Sequence, residues 1–528
     1  MAATRQLGKE DILFIAGESD VVYHHTAGLV ILDTSACPRF SFEYLKEKVI
    51  ERIQEVPHFR WKLHEVPMGL DLPYWVEDEN FRYENHFKRI AVPAPGDREA
   101  LSEVVAYLYR RHLDRNKPLW EFWLIEGLAG GKYAILQKLH HCMMDGQGAS
   151  KLGELLCDFE PDAEPRPLDS AIKDAKAGAV PDWLSQSATA ALHLARLPGN
   201  AYREAIDFIS PKIMERLGLR EKSGRPRVET PVASFNGEVG ADRGFVFGSL
   251  SLVDIKTVKN AFDASVNDVV LALVSSTLRR YLLEHDALPE LSLRTGMPVS
   301  LRSEDDDEIS NRVTQTPVTL ATDIDDPVER LLTISEDCEE AKQLARSGGR
   351  GLVEMIQNMP PMMVSALVST TSPEQAAAML GINLIVSSVR GSDQPMYIAG
   401  ARMETMYPMS IITPGMGINF TCVSYAGQVD VGITIEPELV PEAWEIQDGL
   451  DDALQEYVQL AVKKKRRRKV PVKAGKRGAK PKAKAKSKAK SKAKARPKPK
   501  PKAKTTGARK PAASQRRSKT QSSTSGRT

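Results

Sequence analysis

Apolar and polar residues alternate along this chain in two periods, and the switches between them mark out its elements. Leu29-Val30-Ile31-Leu32 is a short unbroken apolar run, as in a buried strand, whereas Phe42, Leu45, Val49 and Ile53 recur at helical spacing. Residues 101–113 repeat the helical pattern through Leu101, Val104, Val105, Leu108 and His112. A strand opening at Pro118-Leu119-Trp120-Glu121 runs through Ile125, and Gly127 to Gly131 turn it back. Residues 133–141 then alternate as its hairpin partner, with Tyr133, Ile135, Gln137, Leu139 and His141 on one face and Ala134, Leu136, Lys138 and His140 on the other. The hairpin brings Trp120 toward the end of that strand, with core packing as its plainer role.

From about Glu160 to Gly240 the pattern loosens, punctuated by Pro161, Pro165, Pro167, Pro181 and Pro198. Such a stretch reads as a crossover between two domains. Alternation resumes at Phe245. Helices are expected over 254–262, 328–345 and 442–460, and a long one follows Ser265-Val266-Asn267-Asp268, capped by Ser265 or Asn267. Strands are expected over 293–299, 314–322, 383–388, 418–425 and 428–435. Met355, Met359, Met362 and Met363 lie in a helical region broken by Pro360-Pro361, and read first as adaptable core and second as the lining of an apolar channel. The whole predicts an α/β fold: an N-terminal subdomain over 1–160, a crossover linker with short helices over 161–240, and a C-terminal subdomain over 241–462. A cleft or tunnel between the subdomains is the expected site.

Composition adds a fourth region. Of the 73 Lys and Arg residues, 29 lie from Lys463 onward with no Asp or Glu among them, leaving 44 basic against 69 acidic residues in the body. Residues 463–528 alternate Lys with Ala, Pro and Ser, as in Lys482-Ala483-Lys484-Ala485-Lys486-Ser487-Lys488, and self-repulsion without apolar periodicity predicts a disordered tail. There is no run of 18 apolar residues, so a soluble or peripheral protein made in the cytosol is expected. Cys37, Cys142, Cys157, Cys338 and Cys422 are scattered without C-x-x-C spacing, which indicates neither a disulfide framework nor a zinc site, and no metal is expected.

The densest chemistry is His140-His141-Cys142-Met143-Met144-Asp145-Gly146. The period-two reading sends the two histidines to opposite faces and puts His141 on the more apolar one. Burial would lower its pKa and keep it neutral, as a general base requires. His140 is then a supporting residue. Asp145, past the strand end, can orient the turn, cap the following helix or meet a distant cation, and Gly146 permits a tight turn or close approach. The competing structural account is a buried histidine pair with a helix-capping aspartate. Cys142 is assigned to packing.

These seven residues resemble the signature of the bacterial wax ester synthase/acyl-CoA:diacylglycerol acyltransferases. The likeness extends over roughly residues 8–460, through Phe59-Arg60-Trp61-Lys62-Leu63, Asp114-Arg115-Asn116-Lys117-Pro118-Leu119-Trp120-Glu121, Phe235-Asn236-Gly237, Val266-Asn267-Asp268-Val269-Val270-Leu271-Ala272, Met297-Pro298-Val299-Ser300-Leu301-Arg302 and Asn311-Arg312. The resemblance implies two chloramphenicol-acetyltransferase-like subdomains, shared with peptide-synthetase condensation domains. It also implies O-acylation of diacylglycerol or a long-chain alcohol, with acyl-CoA as co-substrate, no bound cofactor and His141 as base. It makes Pro118, Leu119, Trp120, Asn267, Asp268 and Arg302 substrate-binding or structural motif residues, with Asn267 a candidate oxyanion donor and helix capping its alternative. Asp145 is expected to organise its loop, and Arg302 is its candidate partner. Where the family usually carries Ser-Asn-Val-Pro-Gly-Pro, this chain has Ser387-Ser388-Val389-Arg390-Gly391-Ser392, which loses both prolines and adds a cation. A condensation-type or polyketide acyltransferase and a degenerate lipid-binding scaffold remain as alternatives. The tail is expected to hold the protein peripherally at an anionic membrane or lipid-droplet surface, with non-specific nucleic acid as the competing partner.

Overall fold

The strands in the first third of the chain are β1 (His25–Asp33), β2 (Trp61–His64), β3 (Tyr74–Glu77), β4 (Phe87–Ala91), β5 (Trp120–Glu126) and β6 (Tyr133–His140). Later segments give β7 (Gly244–Ser251), β8 (Arg294–Ser300), β9 (Val313–Thr319), β10 (Leu384–Arg390), β11 (Tyr397–Ile398), β12 (Ala401–Met409), β13 (Ile418–Tyr425) and β14 (Gln428–Ile435). The helices used below are α1 (Ile12–Ala16), α2 (Phe42–Ile53), α3 (Arg98–Tyr109), α4 (Trp183–Arg196), α5 (Leu252–Phe262), α6 (Val266–Glu284), α7 (Pro327–Arg346), α8 (Pro361–Thr370), α9 (Pro373–Leu380) and α10 (Ala443–Lys469). This is a computed structural model. It describes residues 5–143, 155–164, 173–196, 230–285, 287–300, 313–346, 356–357 and 359–469.

Two six-stranded sheets organise the fold, in the orders β11-β12-β1-β6-β5-β4 and β7-β14-β13-β10-β8-β9, beside a β2-β3 ribbon. The expected two-part α/β architecture is therefore present. α2 forms because Ser41 caps it, accepting from the Tyr44 N–H at 3.2 Å, and because Leu45, Val49 and Ile53 fall on one buried face. That face packs with Trp120, Phe122 and Ile135 of the first sheet, each buried aliphatic contributing about 1.5–3 kcal/mol. α3 covers the other side through Val105, Leu108 and Tyr109, against Leu29 and Leu136 and also Phe245 and Phe247 of β7. The second sheet is covered by α5, α6, α7 and α10 around Val269, Leu273, Leu331 and Leu454.

The sequence boundaries need one main amendment. Residues 397–409 fall within the expected C-terminal subdomain, yet β11 and β12 belong to the first sheet, where β12 pairs antiparallel with β1 from Ala27↔Met409 to Asp33↔Arg402. The close approach of β12 to the second sheet depends on Gly432, where a Cβ would collide with the Pro408 carbonyl. Asp430 fastens the same crossing, accepting from Met406 N at 2.8 Å and Ser249 Oγ at 2.6 Å.

Smaller corrections have local causes. α3 stops at Tyr109 instead of reaching residue 113, because the carbonyls of Leu108, Tyr109 and Arg111 are taken by side chains of β1 and β6. Pro360 and Pro361 begin α8 rather than break a helix, Pro361 occupying the first helical position where a missing N–H costs nothing. α10 extends beyond residue 460 into the basic run as far as Lys469. No single described helix is long and apolar enough to cross a membrane.

Candidate functional site

β6 delivers the histidine doublet. Its partner β5 arrives antiparallel with Trp120 opposite Leu139, and the His140 N–H donates to the Leu119 carbonyl at 3.0 Å. On the other edge His25 of β1 stands opposite His140, and the His141 N–H donates to the His24 carbonyl at 2.9 Å. The strand ends at His140, and His141 opens a 3-10 turn running to Met143.

That one-residue difference moves the burial expected for His141. The ring removed from water is His140, 1% exposed, while His141 is half-buried. Cys142 N–H donates to His140 Nδ1 at 3.2 Å, so Nδ1 carries the lone pair and the ring proton sits on Nε2. Nε2–H donates to Glu18 Oε1 at 3.2 Å. Burial would raise the Glu18 carboxyl, but His140 and Arg115 prevail and hold it down at about 2. Arg115 reaches Glu18 Oε2 through Nη2 at 2.7 Å and Nε at 3.1 Å. His140 is thereby locked in tautomer and orientation.

A second arm of the same network fixes what lies against His141. His24, pushed down to about 4 by burial, is neutral and donates Nδ1–H to the Phe14 carbonyl at 2.9 Å. Arg115 Nη2 donates to the neighbouring Ile15 carbonyl at 2.9 Å. With α1 so held, the Phe14 ring stacks on His141 at 3.8 Å between centroids and 19° between planes. An imidazole clamped face-on by an aromatic ring keeps its nitrogens in a fixed plane, as directional proton transfer requires.

Behind the doublet the structure buries further bases. His25 Nε2 lies 2.6 Å from the Tyr109 carbonyl, and burial holds that histidine well below its ordinary pKa. Lys138 is fully buried and donates to the Leu108 carbonyl at 3.1 Å and to the Arg111 carbonyl, with burial lowering its ammonium to about 7. Cys142 is buried, its thiol raised well above the ordinary range, so it is a packing residue and not a thiolate nucleophile.

The remaining expected residues separate. Pro118, Leu119 and Trp120 are buried, Leu119 and Trp120 fully, and Trp120 donates Nε1–H to Phe59 O at 2.9 Å and stacks on His86 at 4.2 Å. Ser265, not Asn267, caps α6, closing a capping box with Asp268, whose Oδ2 accepts from Ser265 N at 2.8 Å and from Ser335 Oγ at 3.0 Å. Asn267 is therefore released from capping, and its Nδ2 lies 3.6 Å from Met297 Sδ. Arg390 of the divergent segment is exposed at the end of β10 and paired with Asp393 at 3.2 Å. Asp145, Gly146, Arg302, Asn311 and Arg312 lie outside the described residues.

Sequence reasoning missed Phe14, Glu18 and His24, and quoted Arg115 only as part of a marker segment, without a role. One signal was present: His24-His25 is a second histidine doublet, and it pairs directly with the first. Among the described residues, His285, Glu442 and Glu445 form a cluster of metal-ligating type, but it is exposed, with His285 Nε2 at 3.2 and 3.8 Å from the two carboxylates.

Comparisons with known proteins converge on one family. Residues 7–270 match the family model for the wax ester synthase/diacylglycerol acyltransferase catalytic domain, and residues 309–457 match that for the C-terminal domain of the same family. A putative diacylglycerol O-acyltransferase of Mycobacterium tuberculosis is 33% identical over 468 residues, covering 87% of this chain and 91% of its own. An O-acyltransferase of Acinetobacter baylyi is 28% identical over 470 residues, covering 87% and 98%. Among solved structures, a wax ester synthase/diacylglycerol acyltransferase from Marinobacter aquaeolei superposes with a TM-score of 0.65 at 27% identity, over 87% of this chain and all of that one. The first condensation domain of a calcium-dependent antibiotic synthetase, 15% identical with a TM-score of 0.51 over 87% and 97%, shares the fold.

Proposed function

Because the chain belongs to the wax ester synthase/diacylglycerol acyltransferase family, we propose that it transfers a long-chain acyl group from acyl-CoA to the hydroxyl of diacylglycerol, of a long-chain alcohol, or of both. His141 accepts the proton of the acceptor hydroxyl as its oxygen attacks the thioester carbonyl. The tetrahedral intermediate then collapses, its C–S bond breaks, and His141 returns the proton to the departing CoA thiolate. Each turnover yields one ester and one free CoA. No acyl-enzyme is formed. Asn267 supplies a hydrogen bond to the oxyanion, while Asp145 and Arg302 order the loop after the doublet. The observation that carries this reading is the Arg115–Glu18–His140 network, which holds the doublet at a strand end with Phe14 stacked on His141. Incubation with palmitoyl-CoA and either diacylglycerol or hexadecanol yields neutral lipid and free CoA; absence of both products with every acceptor overturns it.

The protein works peripherally at an anionic membrane surface, to which its basic tail contributes. Support comes from the uniform positive charge of residues 463–528 and from α10, which leads into them with Lys463, Lys465 and Arg466 exposed. Each basic residue near such a surface gains about 1 kcal/mol. Removing residues 470–528 lowers binding to phosphatidylglycerol vesicles. Unchanged vesicle binding with lost binding to nucleic acid reverses the choice of partner.

A further inference from the structure

Helix α4 is inside out. Among its described side chains Gln186 and Ala190 are the buried ones, and His193 Nδ1 lies 2.9 Å from Asp71 of the body. The opposite stripe carries Trp183, Leu184, Ser187, Ala188, Ala191, Leu192 and Ala195, all exposed, with Trp183 at 68% and Leu184 at 61%. A helix on a water-facing surface normally shows the reverse pattern.

The apolar surface continues beyond the helix. Asp71 follows the Pro67–Gly69 turn, where Met68 is 79% exposed in the left-handed region at φ 56, a conformation that costs a side-chain-bearing residue about 1 kcal/mol or more. Gly69 lies against the backbone of Met362, whose side chain is 48% exposed in the first turn of α8. α8 is fastened to α1 by Ser365 Oγ donating to Ala16 O at 2.6 Å, and α1 carries the ring stacked on His141. The apolar face and the acyl-transfer site thus share one scaffold.

Charge around the stripe favours an anionic surface. Residues 173–182, which lead into α4, carry exposed Lys173 and Lys176 with Asp174 between them. Gly178 N–H donates to Trp75 O and Trp75 N–H to Arg5 O, which brings exposed Arg5 to the same edge. Most nearby carboxylates are committed: Asp182 caps α4 through Ser185 N at 2.9 Å, Asp71 holds His193, Glu77 pairs with Arg60, and Glu55 takes up Lys173, which leaves Arg5 and Lys176 against exposed Asp174.

We propose that α4, Met68 and Met362 form a foot that seats this enzyme on an anionic phospholipid bilayer. Trp183, Leu184 and Leu192 enter the acyl boundary, and Arg5 and Lys176 meet the headgroups. The proposal rests on the lipid-acceptor reading above and adds to it a surface separate from the tail.

The test is sedimentation of the full chain with vesicles of phosphatidylcholine mixed with phosphatidylglycerol, read beside acyl transfer to a short, water-soluble alcohol. The W183S/L184S/L192S variant is expected to lose roughly tenfold or more in vesicle partition while keeping its rate on the soluble acceptor. M68S/M362S, which leaves α4 untouched, loses a smaller share, and both losses persist when residues 470–528 are removed. Undiminished partition in both variants overturns the foot. So does a dimer that the triple variant dissociates without any change in vesicle binding. If the triple variant fails to fold, the intact chain decides: Trp183 emission, isolated by difference from W183F, shifts to the blue on vesicle addition, and no shift overturns the proposal. Stripe-dependent vesicle binding by a protein inactive toward every acceptor retains the foot and rejects the acyl-transfer reading.

Discussion

The two halves of the molecule bury polar groups differently. In the first sheet the buried groups are bases, His24, His25, Lys138 and His140, gathered at the inner ends of β1 and β6 with the Glu18 carboxylate among them. In the second, the most completely satisfied pair is of neutral amides: Asn236 Nδ2 donates to Asn383 O and Gly415 O at 2.7 Å each, and Asn383 Nδ2 donates back to Asn236 Oδ1 at 2.8 Å. A neutral amide pair ties distant backbone segments without the large desolvation of a buried charge. Titratable groups carry that cost and are buried in both halves, Asp268, Asp430 and Glu436 in the second, but the buried histidines and Lys138 all lie in the first. Two similar sheets have been put to different uses, one presenting a reactive strand end and the other building a frame with a strand lent across.

The sharpest way to break this contrast is His141→Ala, which should lower kcat by about 10²- to 10⁴-fold with the circular dichroism unchanged. Retention of most activity would remove the first sheet's claim to the chemistry. Next is Glu18→Gln. The Glu18 pKa is held at about 2 against 4.5 for the free group, so its contribution is present above pH 4.5 and disappears as the pH falls toward 2. The variant should lose on the order of 2–3 kcal/mol at neutral pH and show a flatter acid limb in denaturant titrations. It should also lower kcat more than it raises KM, because His140 loses its anchor.

Lys138→Met tests the deeper bases. A lysine whose folded pKa is lowered to about 7 binds fewer protons folded than unfolded between pH 7 and 10.5, so wild-type stability rises with pH across that window. Methionine should flatten this slope, and an unchanged slope would show that Lys138 titrates normally. The smallest effect is expected in the second half, from Asp430→Asn. Burial raises this carboxyl to about 6, so the wild type loses stability as the pH rises from about 4 to 6. The variant should lack that loss, differ by about 1 kcal/mol at pH 7 and leave kcat intact. A large drop in kcat would mean that the frame takes part in the chemistry.

What could be read from the sequence follows from range. The doublet was legible because its residues are consecutive, α2 and β5 because each buries a face whose period lies within one segment, and β6, β13 and β14 because each is a mostly buried run of strand-forming residues. β2, β3 and β4 are four or five residues long, too short for a period to declare itself. β12 buries Ala401, Met403, Tyr407 and Met409 in alternation, but Pro408 and the charged Arg402 and Glu404 between them mask a strand in the sequence. Glu18 was invisible for another reason: it meets His140 across 122 residues, and spacing carries no information about such a contact. The burial assigned to His141 failed by a single residue, since a strand that stops at His140 hands the apolar environment to its neighbour.

The lent strand has a consequence for how this protein is made. β1 finds its second edge only when Met409 has been synthesised, although its own Ala27 left the ribosome near the start. At 5–20 residues per second the nascent chain carries an unpaired apolar strand edge for roughly 20–80 s. During that interval the edge is a template for other chains, which makes chaperone supply and translation speed, rather than the stability of the finished enzyme, the determinants of its yield.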